Sequence, residues 1–132
     1  MLVKEIMSTS ILCCRPDDDF ATLQNTMKAE DIGIIPVCDV QKHVLGIITD
    51  RDLLLRQSDG KKAVQLMTSP VVTIDSNEDI HKAALILSKN KIRCLPVVES
   101  GKLVGMLTFK EFAKKKYLSA EIGHIIYNIY NN

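Results

Sequence analysis

Hydrophobic and polar positions alternate in blocks whose period changes at regular intervals. Phe20, Leu23 and Met27 recur three and four apart, as do Ile80, Ala83, Ala84 and Leu87. That spacing gathers each set on one face of a helix. Before each block stands an acid, Asp19 or Asp79, whose carboxylate can accept from the free backbone N–H groups of a first helical turn. Ser76 is a rival for the second cap. Short apolar runs flank both helices: Ile11–Cys14 and Val71–Ile74 before them, Ile34–Cys38 and Cys94–Val98 after. Val44–Thr49 and Leu103–Thr108 close the blocks, the latter behind a turn holding Gly101. Runs of this length and composition read as strands. Pro36 and Pro96 lie inside two of them. Proline cannot donate to a ladder, so these strands should sit at a sheet edge or start irregularly.

The pattern is a duplication. Shifted by sixty, the chain falls onto itself: Ile6-Met7-Ser8 on Leu66-Met67-Thr68, Asp19-Phe20 on Asp79-Ile80, and IGIIP at Ile32–Pro36 on IRCLP at Ile92–Pro96. One residue is lost in a turn, after which Gly46 matches Gly105. Each copy reads β-α-β-β-α, which predicts an α/β, more strictly α+β, fold. The expected organisation is a first unit at 1–56, a polar linker at 57–62, a second unit at 63–116 and a tail at 117–132. A single three-stranded sheet with helices on one side leaves an apolar face bare. Two units packed face to face through a pseudo-twofold would cover it and leave two related clefts.

Beyond the repeat, Leu118, Ile122, Ile125, Ile126 and Ile129 fall at i, i+4, i+7, i+8 and i+11, one face of an amphipathic helix. Tyr117, Tyr127 and Tyr130, all the tyrosines of the chain, lie there too. This helix either folds back onto its own unit or serves as a dimer or docking contact. A membrane-surface role is disfavoured, because beyond Lys114-Lys115-Lys116 its polar face has few cations.

The closing corners, GIITDRDLLLR (46–56) and GMLTFKEFAKK (105–115), repeat T-x-x-acid. One reading is a capping box, in which Thr and the acid satisfy each other's backbone amides. The other is a ligand corner. Helix-start N–H groups and a Thr hydroxyl suit a phosphate, the acid can accept from a ribose diol, and Arg51 or Lys110 adds positive charge. The two readings are compatible. Arg93 interrupts an apolar strand start where the first copy has Gly33; it either snorkels outward or clamps a phosphate.

Composition narrows the field. Seventeen basic and sixteen acidic residues give a net charge of +1, which argues against binding nucleic acid through a broad basic surface. No apolar stretch reaches the roughly 18 residues a membrane span needs. MLVKEIMSTS lacks an apolar signal-peptide core, so a cytoplasmic location is expected. Cys13, Cys14, Cys38 and Cys94 match no zinc or disulfide framework and read as reduced thiols. His43, His81 and His124 are scattered, and Asp17-Asp18-Asp19 has an electrostatic reason to precede a helix, so no metal is expected. No Gly-rich phosphate loop, G-x-S-x-G corner or H-E-x-x-H is present, so catalysis is not expected.

The duplication, the I/L-M-S/T segments at Met7 and Met67, the h-P-V strands and the two corners together resemble a tandem pair of CBS domains. These are the regulatory modules named after cystathionine β-synthase. The resemblance covers residues 3–115. It implies a sensor of adenosine-containing ligands (AMP, ADP or ATP, with S-adenosylmethionine, NAD or a cyclic dinucleotide also in the family's range) held in the clefts. It also implies a homodimer and a separate effector protein, with no required cofactor. By resemblance, Asp52 holds the ribose, Thr49 and Arg51 lie near phosphate or ribose, and Ile47 packs on adenine, with Thr68, Val72, Ile92 and Arg93 completing the site. The mirror site would use Met106, Thr108, Lys110 and Glu111 with Ser8, Leu12, Ile32 and Gly33. There Glu111 is one methylene longer than Asp and Gly33 brings no charge, so the Asp52 site is expected to be the better one. The alternative is a scaffold or dimerisation module without a physiological small molecule.

Overall fold

The computed structural model describes residues 1–55, 60–115 and 118–131. Arg56, residues 57–59 of the expected linker, and Tyr117 lie outside them. The chain forms two compact units. The first-repeat unit comprises Leu12–Val71 with Gly101–Leu103, and the second-repeat unit comprises Met1–Ile11, Val72–Ser100 and Val104–Asn132. Each has its own core. The fold is mixed α and β; the second copy runs in the β-α-β-β-α order with the expected three-stranded sheet, whereas the first has a two-stranded sheet and only an isolated bridge at Cys14 in place of its leading strand.

In the first-repeat unit, α1 (Phe20–Glu30) precedes β1 (Ile34–Cys38), β2 (Val44–Thr49) and α2 (Asp50–Leu55), and α3 (Ala63–Leu66) follows. β1 and β2 pair antiparallel, with Ile35 opposite Ile48 and Val37 opposite Gly46. Phe20, Leu23 and Met27 enter the core with Ile35, Val37 and Ile48, as their spacing requires. In the second-repeat unit a 3-10 turn at Val3–Glu5 leads the chain, and β3 (Ile74–Asp75), α4 (Ile80–Asn90), β4 (Cys94–Glu99), β5 (Lys102–Thr108), α5 (Phe109–Ala113) and α6 (Ser119–Tyr130) follow. Here Ile80, Ala83, Ala84 and Leu87 are buried against Leu95, Val97 and Phe112. Asp19 accepts from the Thr22 amide at 2.8 Å and Asp79 from the His81 amide at 2.8 Å, so both acids cap. Ser76 does not; it is buried and donates to Glu99 at 2.7 Å.

The first strand of each copy is shorter than expected, and the prolines explain why. Only Cys14 of Ile11–Cys14 bridges β1, and only Ile74 of Val71–Ile74 joins β3. The Cys14 amide donates to the Pro36 carbonyl at 2.9 Å. A strand residue's N–H and C=O point the same way, so the donor missing from Pro36 faces this segment. Likewise Val98 accepts from Ser76, which turns Pro96 toward the β3 side, and pairing there begins only with Ile74 opposite Val97. β4 is therefore the central strand of β3-β4-β5 rather than an edge. The irregular start falls on its partner.

The segments leading into each copy are exchanged. Ser8, ahead of the first copy, pairs with Met106 of the second through two bonds of 2.9 Å. Thr68, ahead of the second, pairs with Ile47 of the first at 2.9 and 3.1 Å. The preceding methionines lie on the glycines of the last strands. A Cβ on Gly46 would collide with the Met67 side chain, its Cγ only 2.7 Å away, and one on Gly105 would lie 2.6 Å from Met7 Sδ. Helical turns at Val3–Glu5 and Ala63–Leu66 precede these methionines. Glu5 accepts from the Leu2 amide, and Gln65 from the Lys62 amide at 2.8 Å.

α6 folds back onto α4 and α5 of its own unit. Leu118 and Ile125 are buried, and Ile122 and Ile129 pack on the same core. Ile126 does not belong to that face; it is 40% exposed, one step around the helix from Ile125. The receiving face of α4 offers Ala84 and Ser88 where α1 has the longer Gln24 and Lys28, so only one copy presents a shallow seat for a helix. Cys13 is exposed, and Cys14, Cys38 and Cys94 are buried free thiols pushed up to about 12 by burial. Among the described residues no helix is long and apolar enough to cross a membrane.

Gly46→Ala and Gly105→Ala should each cost about 1–3 kcal/mol through overpacking. Gly123, inside α6, is the contrasting site: a Cβ there would meet nothing within 4 Å. Gly123→Ala should stabilise by up to about 1 kcal/mol. Urea unfolding of the three variants checks the ordering. The buried thiols set a pH dependence as well. Their folded values lie above the ordinary 9.0, so their contribution is intact below pH 9 and is lost as pH rises toward 12. The urea midpoint should fall across that window, and fall less in Cys94→Ala.

Candidate functional site

The first-repeat corner is built where β2 turns into α2. Asp52 Oδ2 accepts from the Thr49 amide at 2.9 Å, and the Asp52 amide donates to Thr49 Oγ1 at 3.1 Å. This is a reciprocal capping box. It leaves chemistry unused. Asp52 is half-buried, and its Oδ1 takes no hydrogen bond from the described residues. The Thr49 hydroxyl serves as an acceptor, and among the described residues no acceptor takes its own proton. Arg51 is exposed one residue earlier. Ile47, two residues before Thr49, shares its strand face and is bonded to Thr68, so Ile47, Thr49, Arg51, Asp52 and Thr68 come together in this unit. Val72, Ile92 and Arg93 belong to the other unit. Val72 is 39% exposed, Ile92 is half-buried, and Arg93 is exposed with its guanidinium over the Tyr130 ring.

The second-repeat corner uses its acid differently. Glu111 Oε1 accepts from both the Thr108 amide, at 2.7 Å, and the Thr108 hydroxyl, at 2.8 Å. Thr108 Oγ1 accepts from the Lys110 amide at 3.3 Å. The extra methylene lets the carboxylate fold back under the turn, where Glu111 is only 3% exposed. The Thr108 proton is thereby committed inside the protein. Ser8 and Met106 are paired beside this corner, and Lys110 is exposed. Leu12, Ile32 and Gly33 lie in the first-repeat unit. The sequence reading missed Asp50 there. Its amide donates to the Gly33 carbonyl at 2.8 Å, and its carboxylate stands over the glycine, 3.2 Å from where a Cβ would be. A negative charge thus occupies the position whose counterpart in the other copy is Arg93. The signal was an acid directly after Thr49, matched by Phe109 in the second copy.

Among the described residues α2 has six and α5 five, and the acid, hydroxyl and cationic side chains supply the distinctive chemistry of the two corners. Elsewhere the candidate ligating groups are engaged singly. His43 contacts Asp39 at 3.1 Å, and His81 contacts Glu121 at 2.9 Å. The His43 backbone amide holds the Asp39 carboxyl below its usual range. Asp18 accepts from the Arg15 amide at 2.9 Å, and the Thr22 bond holds Asp19 low. Among the described residues no three His, Cys, Asp or Glu side chains converge to hold a metal ion.

The two acids should therefore respond differently to removal. Glu111→Ala strips a half-buried hydroxyl and an amide of their shared acceptor and should cost about 2–3 kcal/mol. Asp52→Ala, at a solvated cap, should cost about 1 kcal/mol. Chemical denaturation of both variants measures the difference.

The CBS domain family matches the chain over residues 3–59 and 63–117. The CBS domain-containing protein YhcV of Bacillus subtilis is 30% identical over 133 residues, covering 96% of this chain and 94% of its own. Inosine-5'-monophosphate dehydrogenase of Mycobacterium tuberculosis is 34% identical over 110 residues, 82% of this chain. The chain spans only 21% of that enzyme's length. Among solved structures, CBSX2 in complex with AMP superposes with a TM-score of 0.78 at 25% identity, covering 86% of this chain and 93% of that one. The CBS domain pair of protein MJ0100, in complex with 5'-methylthioadenosine and S-adenosyl-L-methionine, superposes with a TM-score of 0.77 at 26% identity, covering 86% and 94%.

Proposed function

The chain belongs to the CBS-domain family, and from that premise we propose that it is a regulatory module whose Thr49–Asp52 corner binds an adenosine-containing nucleotide. The state of Asp52 carries the reading. A carboxylate with one oxygen unbonded among the described residues, next to a hydroxyl whose proton none of them accepts and an exposed guanidinium, can take a ribose diol and lie close to phosphate. Ile47 supplies an apolar surface for the base. Thr68, Val72, Ile92 and Arg93 belong to the same proposed set. The corresponding set of Ser8, Leu12, Ile32, Gly33, Met106, Thr108, Lys110 and Glu111 is proposed as the weaker binder. Its acid is buried against its own threonine, and Asp50 brings repulsion toward a phosphate. The adenosine moiety common to the ligands of CBSX2 and the MJ0100 pair supports this choice of ligand class. Binding shifts the population of module conformations, and an effector protein reads the shift. The homodimer expected from the resemblance is part of this proposal.

The test is thermal denaturation with AMP, ADP, ATP, NAD, S-adenosylmethionine and cyclic dinucleotides, in the wild type and in Asp52→Asn. Asparagine keeps an acceptor for the Thr49 amide but cannot accept twice from a diol. A nucleotide that raises the melting temperature is expected, with affinity lowered about tenfold in the variant. A flat panel with a well-folded protein would favour the scaffold reading. An unchanged affinity in Asp52→Asn would remove Asp52 from the site.

A further inference from the structure

Arg93 is the guanidinium of the proposed set that lies outside the Thr49–Asp52 corner, and it is held in place. Its Cζ lies 4.9 Å from the centroid of the Tyr130 ring. Arg93 stands directly before β4, whose first residues Cys94 and Leu95 are buried, so its backbone is anchored. Tyr130 ends α6, and that last turn is also anchored: Asn128 hydrogen-bonds to Ser88 of α4, and Ile129 packs on the core. Among the described residues no acid lies within ion-pair distance of Arg93 and no hydrogen bond engages its guanidinium. A cation over an aromatic face is attracted through the ring quadrupole, and that contact consumes none of the guanidinium's five N–H donors. The outcome is a positioned cation with its donors unspent.

We propose that Tyr130 is a positioning residue for Arg93, holding the guanidinium ready for an anionic group such as a nucleotide phosphate, so that docking of the last turn of α6 and occupancy of Arg93 favour each other. The choice of AMP as probe rests on the nucleotide reading above. The coupling itself rests on the Arg93–Tyr130 geometry. It makes the C-terminal helix a reporter of what Arg93 holds, because coupling between two sites is reciprocal. A free arginine would have to be ordered at the moment of binding. One resting on a fixed ring loses less freedom then.

Wild type, Tyr130→Phe, Tyr130→Ala, Arg93→Ala and the Arg93→Ala/Tyr130→Ala double variant would be titrated calorimetrically with AMP, adenosine and pyrophosphate. Both side chains are exposed, so the variants are expected to fold, and circular dichroism checks this. Tyr130→Ala should weaken AMP about two- to fivefold, the worth of an exposed cation–π contact. Tyr130→Phe keeps the ring and should stay within about twofold of wild type. The double variant should bind AMP no more weakly than Arg93→Ala alone. Adenosine, which lacks the phosphate, should bind all five proteins alike. AMP binding that is indifferent to Tyr130→Ala overturns this inference and leaves the nucleotide reading standing. An equal loss for adenosine also overturns it, since it marks a general structural role. Pyrophosphate binding with the expected variant pattern, without any AMP binding, sustains the inference and removes AMP as the ligand. No binding of any probe overturns the inference, and the ligand panel above decides the nucleotide reading separately.

Discussion

A methionine lying against a glycine is the contact on which each unit depends. Met67 covers Gly46, and Met7 covers Gly105, with no room for a Cβ at either glycine. That close approach lets Thr68 and Ser8 reach the backbone of β2 and β5 and close two hydrogen bonds each. The last strand of each unit is thereby bonded on a flank where its own copy offers no strand. Without the glycine the methionine would be pushed outward and the bridge would open. The T-x-x-acid corner follows two residues beyond the bridged position, so its geometry is inherited from this contact.

Duplication then sets up two corners with the same backbone and different chemistry. One methylene separates Asp52 from Glu111, and it decides where the carboxylate goes. The shorter acid takes the Thr49 amide through Oδ2, and among the described residues nothing bonds its Oδ1. The longer one curls under and takes both the amide and the hydroxyl of Thr108. A group satisfied inside the fold stabilises the fold; a group left half-satisfied is available to a ligand. Asp50 over Gly33 adds to the contrast. A repeated motif thus carries two different internal hydrogen-bond patterns.

The same divergence governs the tail. α4 presents Ala84 and Ser88 where α1 presents Gln24 and Lys28, and α6 lies on the copy with the small residues. Small residues let helix axes approach, and Leu118 and Ile125 fill the space that remains. The Ser88 hydroxyl also provides a partner for Asn128. The seat of α6 brings Tyr130 under Arg93, and residues separated by more than thirty positions in the chain become one unit of charge and ring.

Sequence alone determined what depends on local periodicity and on self-similarity. The helices at Phe20–Glu30 and Ile80–Asn90 follow from apolar spacing and an aspartate cap, and β1 and β2 follow from short β-branched runs. The repeat register, the closing corners and the presence of a tail helix were legible for the same reason. Tertiary structure decided whatever depends on which segment meets which. The first strand of each copy shrank because a proline in the neighbouring strand faced it without a donor. Ser76 lost the cap to Asp79 because its hydroxyl was drawn to Glu99. Ile126 stays outside the buried stripe because the face of α6 set against α4 and α5 is the one carrying Leu118, Ile122, Ile125 and Ile129. The exchange of Met7 and Met67 between copies, the charge of Asp50 over Gly33 and the ring of Tyr130 under Arg93 leave no mark in spacing. Side-chain reach and backbone proximity are properties of the folded chain, and only the fold sets them.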